Sequence, residues 1–472
     1  MTIKRVAVIG AGISGLTAAY RLDTYARQGD VEVHVFEARP RAGGVMVTDT
    51  QHGAILEGGP DGFEHSKPEA EALCRELGLG DQLVEVDEAA VGAYVYHRRR
   101  LHPMPRGVVA GVPTELAALV NSHWLSPAAR LRVLLDVVLP RRRDTGDHAL
   151  GKFLGRRFGR QWMTLVAEPS LCARYGGLAD ESSSAAVVPQ LLEVEHRYRS
   201  LILGCRALKR TGAATVEGEG ALTLEGGLGQ LVDAVDSALK QTLVHLAMPV
   251  AEIGKADEQG SQGYRLNFAH GASLNCDAIL LAVPAHVAAD LLRPVALEAS
   301  SMLAAIEYTS LAVVAAIYDP KAIPIRLDRA GFYVPRGEGL KMTACTWMSP
   351  LWRQPSPGGV PLRLFFGRSQ DGEDVTAWSD ETFQEVVERE LRLTMGIRQP
   401  PVYSRIFRWP KAVPQYRVGH PEHVWALRQA LDRVPGVFGA GSIFQGWSVA
   451  DCIRQSDQAA EAVRAYLGVK AD

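Results

Sequence analysis

The chain has 472 residues, 47% hydrophobic and 22% charged, which suits two or three globular domains and carries no signature of long disorder. Lys+Arg 51 against Asp+Glu 53 gives a net charge of −2, so nothing in the overall balance argues for nucleic acid. Six scattered cysteines without C-x-x-C spacing argue against a metal site, an iron–sulfur cluster or a disulfide framework, and they suit a reducing cytosol.

Lys4 to Ile9 is a short β-branched run that predicts a buried strand. Gly10-Ala11-Gly12-Ile13-Ser14-Gly15 follows at once, and helical spacing begins at Leu16. In a strand-to-helix G-x-G-x-x-G, Gly10 permits the tight turn. Gly12 lets backbone approach a pyrophosphate, and Gly15 allows close helix–strand packing. The helix N-terminus then offers N–H groups to the phosphates. A second strand, Val31 to Phe36, ends in Glu37, at the spacing of the acid that hydrogen-bonds a ribose. In the run Glu37-Ala38-Arg39-Pro40-Arg41-Ala42-Gly43-Gly44, Arg41 can pair with phosphate and the double glycine passes close to a bulky group. This run resembles the E-x-x-x-R-x-G-G extension of FAD-binding oxidases of the amine-oxidase and protoporphyrinogen-oxidase superfamily, which makes FAD the expected cofactor.

Thr48 to Leu56 predicts a strand pair leading into Glu57-Gly58-Gly59-Pro60, where small residues and a proline suggest backbone folded against the flavin. Glu69 to Leu77 is an amphipathic helix capped by Gly78, and a hairpin is expected around Ala93 to Pro105. Helical spacing then runs from Thr114 to about Ala207, with Ser126-Pro127 as a start signal. Leu131 to Leu139 is apolar on one side, so it packs in a core or lies at a membrane surface. The runs Arg98 to Arg100 and Arg141 to Arg143 read first as solvated basic faces, and second as seats for anionic substrate or lipid head groups.

Further along, Gly229 to Leu239 is a helix, and Leu243 to Val250, Tyr264 to Phe268 and Asp277 to Val283 are strands. Four alternating apolar segments between Val313 and Gly367 predict a mainly antiparallel sheet. An amphipathic helix spans Asp380 to Leu393, and a last strand–turn–helix unit runs from Gly436 to Leu467. His420 and His423 form an H-x-x-H, but Pro421 is expected to break the helix that such a ligand pair needs, so no metal is assigned. No apolar run is long enough to span a bilayer, and the immediate first strand leaves no room for a signal peptide. A cytoplasmic protein is expected, at most peripheral on a membrane.

Several segments beyond the nucleotide turn point to one family. Leu101-His102-Pro103-Met104-Pro105-Arg106-Gly107, Thr343 to Trp347 and Leu362 to Arg368 resemble blocks of the bacterial oxygen-dependent coproporphyrinogen III oxidases. Arg197 to Gly204, Arg408-Trp409-Pro410, Pro414 to His420 and Asp451-Cys452-Ile453 are similar to these enzymes and to protoporphyrinogen oxidases. The resemblance implies an α/β (α+β overall) fold in three parts. A discontinuous Rossmann-type FAD-binding domain takes 1–85, 216–296 and 434–472. An antiparallel-sheet substrate domain takes 297–433, and a helical insertion takes 86–215. It implies oxidation of a porphyrinogen to a porphyrin in three two-electron steps, with O2 as acceptor and a tetrapyrrole as substrate. A homodimer and peripheral membrane contact are compatible with it.

The resemblance also implies FAD contacts at Ile13, Ser14, Ala38, Gly59, Pro60, Val250, Trp409, Gly441, Ser442 and Val449. It implies substrate contacts at Arg174, Tyr175, Trp347, Phe366 and Trp447. Arg98 to Arg100, Arg174 and Arg368 are candidate partners for substrate carboxylates. No general base is assigned. The chain departs from the family pattern where G-[IV]-Y-A-G-D is replaced by Ala173-Arg174-Tyr175-Gly176-Gly177-Leu178. G-V-G-x-x-D is replaced by Gly446-Trp447-Ser448-Val449-Ala450-Asp451, and Ala93 stands where protoporphyrinogen oxidases often carry an arginine. These changes favour the coproporphyrinogen branch or another substrate. The alternatives are a flavin oxidase of the same fold acting on another reduced heterocycle or amine, and a flavin-binding scaffold without turnover.

Overall fold

The computed structural model describes residues 3–144, 146–173, 175–211, 220–256, 263–347, 351–352 and 356–470. Lys4–Ile9 lies at the centre of a five-stranded parallel sheet. Val31–Phe36 and Leu243–His245 lie to one side of it, and Ala278–Leu281 and Val437–Gly439 to the other. The chain leaves the central strand first one way and later the other, so the strand order reverses beside it. Such a reversal opens a crevice at the carboxyl end of the strand, where Gly10 stands. Helices Ile13–Arg27 and Val449–Leu467 cover one face through Leu16, Leu22, Ile453 and Val463, and Ala285–Leu292 and His420–Asp432 cover the other.

The second layer is a seven-stranded sheet. Its order is Tyr403–Pro414, Tyr308–Tyr318, Val360–Phe366, Met342–Trp347, Gly331–Tyr333, Tyr94–His97 and Arg100–Pro103. All pairs are antiparallel except Gly331–Tyr333 with Tyr94–His97. The 94–103 hairpin was expected within the helical insertion, but it extends this sheet because Tyr94 and Val95 register with Phe332 and Tyr333. Period-2 alternation divides the Val360–Phe366 strand between two faces. Leu362, Leu364 and Phe366 pack with Trp347 and Cys345 under the helix Asp380–Thr394. Arg363 and Phe365 take the opposite face, which looks toward the nucleotide lobe.

Between the hairpin and residue 211 lies a helical layer with its own core around Phe153, Phe158, Trp162 and Ile202. The start signal at Ser126-Pro127 holds: the Ser126 hydroxyl oxygen accepts from Ala129 N–H at 3.2 Å. The helix that follows is shorter than its apolar run, ending at Leu134 and passing into a 3-10 turn, Leu135–Val137. Its outer side leaves Leu131 62% and Val138 67% exposed. Inside, Arg157 is fully buried against Asp136 and Glu195. Arg142, expected on a solvated face, also reaches Glu195, at 3.2 Å.

His420 and His423 both lie in the helix His420–Asp432, which Pro421 starts rather than breaks, since a first-turn proline gives up an N–H that has no partner there. Their Nε2 atoms lie within hydrogen-bonding distance of the carbonyls of Phe444 and Met302. Among the described residues, no helix is long and apolar enough to cross a membrane.

Candidate flavin and substrate site

The glycine turn follows from sterics. Gly10 has φ +102°, and a Cβ there would lie 2.5 Å from the Ala282 carbonyl oxygen. A Cβ on Gly15 would overlap the Gly10 carbonyl, whereas one on Gly12 would meet only Gly44 Cα, at 3.9 Å. Gly12 is thus open to an outside group, and it caps the helix of Ile13 and Ser14 without a side chain. The first-turn N–H groups have no intrahelical acceptor and suit an anion. Gly43 bridges to Gly12, and Gly44 packs on it. From the last helix unit, Gly441 approaches Ser14, and Val449 joins the same core. Tyr416 donates its hydroxyl to the Ser442 carbonyl at 2.6 Å.

Glu37 ends the second strand. Its carboxylate accepts from the N–H groups of Ala11 and Arg39, both at 2.9 Å, while Ala38 is exposed beside it. Met248 N–H bonds the Glu37 carbonyl, which carries Val250 to this end of the crevice. Arg41 is half-buried, and among the described residues its guanidinium bonds the carbonyls of Ala42 and Gly44. Burial, with Arg39 and Arg405 nearby, lowers its pKa, and a phosphate beside it would offset that shift. A cavity of about 670 Å³ opens here, walled by Arg39, Arg41, Val47, Phe407 and Trp409. Glycine cradle, open helix end, ribose-height carboxylate and Arg41 together fit FAD. When bound, FAD supplies the hydride acceptor.

Glu57 to Pro60 runs from this crevice to the seven-stranded sheet. A Cβ on Gly58 would strike the Phe407 ring, and one on Gly59 would overlap the Val45 carbonyl, so the double glycine is a steric necessity. Trp409 Nε1 donates to the Gly58 carbonyl at 2.7 Å. Glu57 is almost fully buried, accepting from Leu228 N–H at 2.6 Å and from the Thr48 hydroxyl at 2.9 Å. Desolvation pushes its pKa from 4.5 to about 7.

The Glu57 shift makes a pH prediction. The folded protein holds the proton more tightly than the unfolded chain. The penalty is absent below the unfolded pKa of 4.5, grows as pH rises, and is complete above about 7. It amounts to about 3 kcal/mol. Urea unfolding of Glu57→Gln should show a gain over wild type that is larger at about pH 8 than at about pH 5. A mutant-minus-wild-type difference independent of pH would refute the assignment.

The residues expected at the substrate separate into two groups. Tyr175 is buried with its ring 4.6 Å from Trp447, and Trp447 lies 4.5 Å from the Tyr416 ring. Gly446, at φ +77°, turns the chain so that Ser448 caps the last helix and Asp451 meets Lys67 at 2.7 Å. Ser369 N–H bonds the Gly176 carbonyl at 2.6 Å, which ties the 173–178 run to the end of the Val360–Phe366 strand. Arg174 lies outside the described residues. Trp347 and Phe366 do not belong with this group: both are fully buried under the helix Asp380–Thr394, on the sheet face turned away from the Glu57–Pro60 strip. One residue of register separates Phe366 from Phe365, and that step reverses the face. The residues that do face the strip form a row across the sheet, Phe407, Val313, Phe365, Ala344 and Tyr333. Sequence reading missed Phe365; the buried-face partner of a charged Arg363 was the available signal.

Arg368 extends past the end of the sheet, with its guanidinium on the carbonyls of Val334 at 2.6 Å and Met342 at 3.3 Å. Burial lowers its pKa, and among the described residues no carboxylate pairs with it.

Comparison with known proteins agrees with this geometry. The profile of the flavin containing amine oxidoreductases matches residues 13–464. The chain is 34% identical to the coproporphyrinogen III oxidase of Bacillus subtilis (strain 168), over 98% of each protein. It is 28% identical to that of Staphylococcus aureus (strain NCTC 8325 / PS 47), over 98% of this chain and 100% of the relative. A crystal structure from Exiguobacterium sp. 255-15, of a protein provisionally named protoporphyrinogen oxidase, superposes with a TM-score of 0.87 at 30% identity. That match covers 98% of this chain and 99% of the other. The chain therefore belongs to the flavin-containing amine oxidoreductase family and is an FAD-dependent oxidoreductase.

Proposed function

We propose that the protein oxidises coproporphyrinogen III to coproporphyrin III, with O2 as the final acceptor. The observation that carries the reading is the end-to-end match to curated coproporphyrinogen III oxidases, at 34% identity with Bacillus subtilis. The balance is six electrons and six protons from each porphyrinogen, taken in three two-electron steps, with three O2 becoming three H2O2. Within the chain, Gly12, the first turn of the helix Ile13–Arg27 and Arg41 hold the cofactor's phosphates, and Glu37 holds its ribose. Phe365, Tyr333 and Trp447 offer apolar faces to a flat macrocycle, and Arg368 offers a cation to one of its carboxylates. No metal or covalent nucleophile enters.

Anaerobic mixing with coproporphyrinogen III, protoporphyrinogen IX and a panel of amines tests this reading. Coproporphyrinogen should bleach the visible flavin band fastest, and bleaching by amines alone would reject it. In the same assay Trp447→Val should change the ratio between the two porphyrinogens while leaving flavin content at the wild-type level. Equal ratios in both proteins would remove Trp447 from the substrate site.

We also infer contact with an anionic membrane surface through the helical layer. Leu131, Leu135 and Val138 are exposed on one short segment, and Arg141, which follows it, is exposed as well. Co-sedimentation with phosphatidylglycerol vesicles should fall on Leu131→Glu/Val138→Glu, and absence of wild-type protein from the pellet would end the idea.

A further inference from the structure

Three consecutive carbonyls of the flavin-facing strip are held by side chains of the seven-stranded sheet. Arg363 Nε donates to the Glu57 carbonyl at 2.8 Å, Trp409 Nε1 to the Gly58 carbonyl at 2.7 Å, and Arg363 Nη2 to the Gly59 carbonyl. The third nitrogen, Nη1, pairs with the Asp61 carboxylate at 2.7 Å. Arg363 itself is fully buried, in the middle of an apolar strand where a charge is costly unless it is paired and hydrogen-bonded. Its planar fork meets that requirement as a lysine would not, because one guanidinium reaches two carbonyls and a carboxylate at fixed angles. The guanidinium carbon also lies 5.0 Å from the ring centroid of Phe365, two residues along the same face.

We propose that Arg363 is a positioning residue for the redox reaction: it fixes the Glu57–Asp61 strip to the substrate sheet and so sets the spacing between substrate and flavin. The inference rests on the flavin site and on Phe365 facing the substrate, as in the function proposed above. The sequence departs from plain β-patterning here, with a charge inside Leu362-Arg363-Leu364, and the strip explains it. Gly58 and Gly59 have no side chains with which to hold themselves, and Pro60 offers no N–H. The placement of their carbonyls is therefore delegated to groups from the sheet. Gly58 is anchored twice, its N–H on the Val47 carbonyl at 2.8 Å and its carbonyl on Trp409; the two Arg363 bonds fix the carbonyls on either side of that anchor. Phe365 shares the same guanidinium, so a macrocycle stacked on Phe365 presses on the group that holds the strip.

The test uses full-length Arg363→Lys, Arg363→Gln and Asp61→Asn, loaded with FAD. Four quantities are read: FAD stoichiometry, the midpoint potential and band shape of the bound flavin, and the anaerobic rate of flavin reduction against substrate concentration. The first three need no porphyrinogen, so a wrong substrate leaves them legible. Arg363→Gln should keep FAD yet lose roughly 10- to 100-fold in the limiting reduction rate, with half-saturation little changed, because misplacement acts on orientation rather than on binding. Its flavin band shape and potential should differ from wild type, and Arg363→Lys should recover part of the rate. Asp61→Asn keeps both carbonyl bonds and should lie between the two in rate. Wild-type potential, band shape and rate in Arg363→Gln would overturn the proposal. So would loss of FAD in both arginine variants, which would make Arg363 a residue of cofactor retention. If Arg363→Gln fails to fold, Asp61→Asn and Arg363→Lys decide, and wild-type potential and rate in both would count against it.

Discussion

Replacing Arg157 by alanine should cost the helical layer about 3–5 kcal/mol, the range found when one partner of a buried ion pair is removed. Arg157 is fully exposed to protein and not at all to water. Its Nε donates to Glu195 at 3.0 Å, its Nη2 donates to the same carboxylate, and its Nη1 meets Asp136 at 3.2 Å. The two acids fare differently without it. Glu195 retains Arg142 and Arg156, each at 3.2 Å, so its charge stays compensated. Asp136 keeps the Ser200 hydroxyl at 2.6 Å and Ile202 N–H at 3.0 Å but loses its cation, and it is completely buried. The cost therefore concentrates on Asp136, and Arg157→Ala/Asp136→Asn should recover much of it. Urea unfolding followed by tryptophan fluorescence measures both variants, with FAD content as the control. FAD content should hold under native conditions, because the network lies in the helical layer and touches none of the cofactor residues. An Arg157→Ala protein within about 1 kcal/mol of wild type would show that water or rearranged arginines replace the guanidinium.

The contrast between this network and the nucleotide turn explains what was legible in the sequence. Gly10, Gly12 and Gly15 are readable because each answers a local steric demand that only glycine meets, and the strand and helix beside them have strong periods. Glu37 is readable because its distance from the turn is set by one strand–helix–strand unit. Arg157 is 21 positions from Asp136 and 38 from Glu195, and nothing local marks them as partners. For the same reason the run Arg141 to Arg143 looked solvated, although Glu195, 53 positions later, draws Arg142 inward. On the substrate side the obstacle was parity. In Leu362-Arg363-Leu364-Phe365-Phe366 both faces are covered, so alternation separates the two faces without saying which one meets the Glu57–Asp61 strip. Arg363 settles it only once its carbonyl partners are known, and they come from residues 57 and 59, some three hundred positions earlier.

Gly12→Ala should abolish tight FAD binding while leaving the apoprotein as stable as wild type, and Gly15→Ala should damage both. The two glycines share one motif but meet different surroundings. A Cβ on Gly15 overlaps the Gly10 carbonyl and lies 3.3 Å from Ala282 Cβ, so the helix Ile13–Arg27 must move off the central strand. That helix packs Leu16 and Leu22 against the last helix, and displacing it should cost about 1–3 kcal/mol, as overpacking does elsewhere. On Gly12 the same Cβ meets only Gly44 Cα, at an ordinary 3.9 Å, so the fold has no objection. The group it would strike is the pyrophosphate, which needs the bare backbone and the open helix end. Loss of close approach and of the first-turn bonds should weaken FAD by roughly 10²-fold or more, since each 1.4 kcal/mol is tenfold. Thermal melting of the apoproteins and titration with FAD by quenching of flavin fluorescence separate the two effects. Wild-type affinity in Gly12→Ala would mean that the phosphates do not sit on this turn, and the flavin site would have to be placed elsewhere in the crevice.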